Sequence, residues 1–155
     1  MTKLNPHTTW LFAFGSIAAG IATSYALSGL GQKVTAGVYF GVVAIGGFLS
    51  TYLTRARVRG AVLAFLLAAS AAAVAYFFLV DHMFRTATTV MTDAVSGGQA
   101  HEQGVQAGAM FGKTFGIFVA VIVFLESIVA GIGGAIAGHN ASKVDKIRQV
   151  KPQMT

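Results

Sequence analysis

The stretch "IFVAVIVFLESIVAGIGGAIAG", residues 117–138, decides the fold class. It holds one acidic residue, Glu126, among side chains that are otherwise apolar or small. A helix rises ~1.5 Å per residue, so about 20 apolar residues are enough to cross ~30 Å of hydrocarbon. A soluble helix of this length would show a polar face, and this one has none. The stretch therefore reads as a membrane-spanning helix. Taken from Gly116, it is the last of four such stretches.

The other three are residues 9–30, 35–53 and 60–80, and none of them contains Lys, Arg, Asp or Glu. The composition agrees. Of 155 residues, 55% are hydrophobic and 10% are charged, with a mean hydropathy of +0.69. A soluble domain carries about 25% charged residues. The expected fold is an all-α integral membrane protein, a single domain over 1–155 with four transmembrane helices.

The first stretch has some features of a signal peptide, with Lys3 ahead of it and a poor cleavage site, "ALS", at 26–28. Its apolar run is longer than the usual signal core. It reads better as an uncleaved anchor, with Asn5 as cap, Pro6 at the first helical position and Trp10 at the membrane interface.

Charge sets the threading. With four spans, Lys3, Arg55, Arg57, Arg59, Lys143, Lys146, Arg148 and Lys151 fall on one side, while Lys33, Arg85 and Lys113 fall on the other. The richer side is expected to be cytoplasmic, so both termini and the tail 139–155 lie there. Ala- and Gly-rich spans without a eukaryotic targeting pattern fit a bacterial inner membrane. The net charge of +6 does not imply a nucleic-acid partner, because the positive residues flank apolar spans, where they fix topology and meet anionic headgroups. The partner expected of the spans is the lipid bilayer itself.

Helices in lipid associate through close packing of small residues, since no water is displaced to drive them together. Each span carries such a stripe: Ser16, Gly20, Ser24 and Ser28 in the first; Gly37 and Gly41, with Gly46 and Gly47 further on, in the second; Ala64, Ala68 and Ala72 in the third; Gly112, Gly116 and Ala120, then Ala130, Gly134 and Gly138, in the fourth. Counting by four from Glu126 gives Ala130, Gly134 and Gly138, so the carboxylate is expected to face protein. It lies roughly 15–18 Å from each end of its span. A charge facing hydrocarbon there costs at least a few kcal/mol, and no Lys, Arg or His in the other spans sits at that depth. Glu126 is then either neutral and hydrogen-bonded, with the Ser70 hydroxyl or a backbone carbonyl as partner, or it lines a wet path or meets a cation from another subunit.

Residues 81–113 form the one long segment between spans. Met83, Phe84, Ala87, Val90, Met91, Ala94 and Val95 follow the spacing of an amphipathic helix. "SGG" at 96–98 breaks it, and a second helix can start at Gln99 and run into the fourth span. The pattern predicts an extracytoplasmic helical hairpin turning near Gly97 and Gly98, with Met83, Phe84, Val90, Met91 and Val95 as an assembly face.

Reactive chemistry is sparse. Cysteine is absent, which excludes disulfides and thiolate sites. Asp81, His82, Asp93, His101 and Glu102 have the right ligand types for a divalent metal, but not a recognised ligand spacing, so no metal and no cofactor is expected. There is no phosphate-cradling loop, and no Ser–His pair at one depth for nucleophilic catalysis. The sequence points to a non-enzymatic structural or assembly subunit that packs into a homo-oligomer or a larger membrane complex. The alternative is a small proton- or cation-coupled channel or transporter using Glu126.

Overall fold

A computed structural model describes residues 7–54, 57–93 and 99–150. Among them are four α-helices: α1 His7–Ala26, α2 Gln32–Tyr52, α3 Val58–Asp93 and α4 Gln99–Val150, with a short 3-10 turn, Ser28–Leu30, between the first two. The chain is all-helical there. Three helices are long and apolar enough to cross a membrane, over Lys33–Tyr52, Val58–Val90 and Gln103–Ile147. The first is shorter, at 20 residues, and its ends are diluted by His7, Thr8, Thr23 and Ser24.

The α1–α2 joint is set by Gly31, whose φ of 96° lies in the left-handed region that costs an L side chain ~1–2 kcal/mol. Its carbonyl then accepts the amides of Val34 and Thr35 and starts α2. This ends α1 at Ala26, short of Leu30. The later helices overrun their apolar spans. α3 has 36 residues and α4 has 52, against the about 20 that ~30 Å of hydrocarbon needs. Both arms of the expected hairpin are helical. Its turn at Gly97 and Gly98 lies outside the described residues. Beyond Gly138 the polar tail stays helical to Val150, because the sequence places no Gly or Pro there to stop it.

The described chain forms two compact units, Met1–Ala69 with Leu125–Thr155, and Ser70–Phe124. In the first unit α1 and α2 are antiparallel: Ser16 and the Phe12 carbonyl lie against Gly46, and Gly20 lies under the Tyr39 ring. α2 and α4 run parallel, with Tyr39 beside Ser127, Ala44 beside Gly134, Phe48 beside Gly138 and Tyr52 beside Asp145. The start of α3 supplies the rest of the core through Ala61, Ala64, Phe65 and Ala68. Phe65, fully buried, rests its ring on Gly131.

In the second unit α3 and α4 are antiparallel. Phe77 meets Gly116, Phe84 meets Gly112 and Thr88 meets Gly108, pairs that centre on position 98 or close to it. Glycines at every fourth position of α4 present a flat strip into which the α3 side chains fit. Phe84, Phe111 and Phe115 stack edge and face, with centroids 5.4–6.0 Å apart.

Only 22–33% of the apolar windows of the three long helices is buried. The remainder, including Leu63, Phe78, Phe118, Leu125 and Ile136, faces outward. Exposed apolar surface of that extent suits lipid rather than water.

A candidate functional site at the contact of α2 and α4

The contact is built on backbone. A Cβ added at Gly134 would run into the Ala44 carbonyl, one at Gly47 into the Gly131 carbonyl, and one at Gly138 into the Phe48 carbonyl. Only glycine permits this approach, and close approach is the main source of affinity between helices in lipid. Polar groups fasten the same contact. The Thr51 hydroxyl donates to the Ala135 carbonyl at 2.7 Å, and the Tyr39 and Ser127 hydroxyls share a buried hydrogen bond of 2.5 Å. Further along, the Tyr52 hydroxyl donates to Asp145 Oδ2 at 2.8 Å.

Glu126 precedes Ser127, and the ~100° turn per residue gives the two different faces of α4. Ser127 is fully buried against Tyr39, whereas Glu126 is half-buried. Among the described residues no hydrogen bond or ion pair joins Glu126 to another group. Ser70, its expected partner, is exposed and belongs to the second unit. One to three turns on from Glu126 a groove of about 400 Å³ opens between α2 and α4, with Ala44, Ile45, Val129, Ala130, Gly133 and Ala137 among its lining.

The small-residue stripes distribute unevenly. Ser16, Gly20, Ala68, Ala72, Ala130, Gly134 and Gly138 are buried. Ser24 ties α1 to α2 by donating to the Thr35 carbonyl at 3.1 Å. Gly37 and Gly41 border open space, with nothing within 4 Å of an added Cβ, and the close approaches fall instead on Gly46, Gly47 and Gly131. On the hairpin, Phe84 turns inward while Met83 and Val90 stay exposed. The Met91 side chain and Val95 lie outside what is described. Asp81 accepts from Arg85 Nε at 2.9 Å through Oδ2, while its Oδ1 is buried without a hydrogen bond.

Sequence reading missed the three polar fasteners. Two signals were available: Tyr39 is a hydroxyl-bearing aromatic in the middle of an apolar helix, and Asp145 is an isolated acid within a basic tail. It also missed Gly108, which extends the every-fourth-residue glycine series of Gly112 and Gly116. Among the described residues no group of three His, Cys, Asp or Glu side chains is placed to hold a metal ion. Compared with protein-family models, curated proteins and solved structures, the chain finds no match in any of the three.

Proposed function

We propose that this chain is a non-enzymatic assembly subunit of a membrane complex, formed with copies of itself or with other membrane proteins. The carrying observation is the α2–α4 contact, where a glycine-built helix pair leaves an apolar groove uncovered, with a carboxylate nearby on the same stretch of α4 that pairs with none of the described residues. A folded pair with an open small-residue face fits a part that others dock against. In this reading α1 crosses the membrane as well, giving four spans. Both termini are cytoplasmic, the α3–α4 hairpin projects on the opposite side, and the membrane is a bacterial inner membrane. The charge distribution supports that threading.

The test is the mass of the purified particle in detergent, by native mass spectrometry, for wild type and Glu126→Gln. A defined multimer or a stoichiometric complex is expected for both. Monomers throughout would refute assembly. The second reading makes Glu126 a proton or cation site, and its missing partner is the observation that favours it. That reading expects ion flux in liposomes, lost in a folded Glu126→Gln variant.

A further inference from the structure

We propose that the α3–α4 pair holds one anionic phospholipid, with an acyl chain in the groove between the two helices and the phosphate between Arg85 and Lys113. The proposal rests on the second unit alone and stands whether or not the chain assembles. The groove has a volume of about 450 Å³, and Val74, Phe77 and Phe78 of α3 and Ile117, Ala120 and Phe124 of α4 are among its lining. Every one of these side chains is apolar, so the groove suits hydrocarbon.

Two helical rows carry the groove outward to charge. Val74, Phe78, Asp81 and Arg85 stand at i, i+4, i+7 and i+11, within about 60° of one another around α3. Lys113, Ile117, Ala120 and Phe124 repeat that spacing on α4. Because Phe84 meets Gly112 and Thr88 meets Gly108, Arg85 and Lys113 come to levels about 3 Å apart along the pair. Both continue rows that line the groove, so they flank its outer end. They are also the first Lys or Arg beyond the apolar stretches, which end at Val80 and begin at Gly116. That is headgroup depth for a lipid whose chain lies in the groove.

Charge complementarity selects the headgroup. Arg85 donates from Nε to Asp81 Oδ2, and the rest of its guanidinium, on a side chain 53% exposed, is left for phosphate oxygens. Lys113 is exposed, and among the described residues no acid pairs with it. Two cations against one carboxylate leave this mouth positive. A zwitterionic lipid brings a cation of its own to the mouth, whereas an anionic lipid gains the full attraction.

The test uses quenching of tryptophan by brominated lipid. Trp10, the one tryptophan, is replaced by Phe, and a reporter is introduced as Phe124→Trp in the groove or as Phe118→Trp on an exposed face of α4 away from it. The chain is reconstituted in phosphatidylcholine vesicles with brominated phosphatidylglycerol or brominated phosphatidylcholine. The groove reporter is expected to favour phosphatidylglycerol roughly five- to tenfold, and the Phe118→Trp reporter by about twofold or less. Lys113→Gln, which breaks no ion pair among the described residues, is expected to lower the groove preference about two- to fivefold. Adding Arg85→Gln brings it down to the Phe118→Trp value, and Lys33→Gln leaves it unchanged. Quenching of the Phe118→Trp reporter by phosphatidylcholine checks that each variant still stands in the bilayer, and where the double variant fails that check Lys113→Gln decides. Equal preference at the two reporters, or a groove preference that survives the substitutions, overturns the site. Quenching of the groove reporter by neither lipid means that protein covers the groove, and overturns it as well.

Discussion

At the scale of single residues, glycine has two meanings in this chain. Gly134 is held against the Ala44 carbonyl, so even a methyl group there forces the helices apart. Gly37 and Gly41 meet nothing, so a methyl group there only removes backbone freedom. Gly134→Ala is expected to destabilise by about 1–3 kcal/mol, as overpacking does. Gly37→Ala and Gly41→Ala are expected to stabilise by up to ~0.5–1 kcal/mol through helix propensity. Unfolding by SDS titration in mixed micelles measures all three, and equal effects at Gly134 and Gly41 would refute the α2–α4 register. The sequence alone does not separate these positions. Gly37 and Gly41 have a spacing as favourable as Gly20 and Ser24, and what decides is the rotation of α2. That rotation is fixed by Tyr39 and Thr51, whose partners Ser127 and Ala135 lie more than 80 positions away. Glu126 stood out because a lone charge in an apolar run is conspicuous. Its surroundings did not, because they depend on that same rotation.

At the scale of elements, helix existence was legible and helix limits were not. Four apolar runs gave four helices, because length and hydropathy are local properties. The α1 boundary moved inward to Ala26, since the backbone at Gly31 overrides the apolar residues on either side of it. The hairpin arms were legible from 3.6-residue periodicity. Which of two neighbouring residues faces inward was not: Phe84 packs and Met83 does not, because the flat glycine strip on α4 selects the aromatic row. A double variant, Thr88→Cys with Gly108→Cys, is expected to form an intramolecular disulfide on mild oxidation, and Val90→Cys with Gly108→Cys is expected not to. Gel mobility after cleavage between the arms reads the result. Cross-linking by the second pair in preference to the first would overturn the hairpin register.

For the whole molecule, the first question is whether α1 crosses the membrane. If it does, Thr2→Cys and Lys143→Cys label from one side of intact vesicles, and Thr89→Cys from the other. If α1 stays on one side, Thr2→Cys joins Thr89→Cys. A membrane-impermeant maleimide distinguishes the cases, and protection of Thr2→Cys from the side that labels Lys143→Cys would end the four-span reading. The parallel alignment of α2 with α4 fits alternate threading, since helices an even number of crossings apart point the same way. That alignment also orders events in time. α4 emerges from the ribosome after the other three helices, and a chain folds largely as it is made. Until α4 arrives, the Tyr39 and Thr51 hydroxyls await their contacts with Ser127 and the Ala135 carbonyl, and the backbone of Gly131 has not yet closed on Gly47. The nascent bundle is therefore unfinished in a way that its surroundings can sense: translation stopped before the fourth span leaves the α4-facing side of α2 uncovered in the bilayer, a ready mark for membrane proteases that clear incomplete chains.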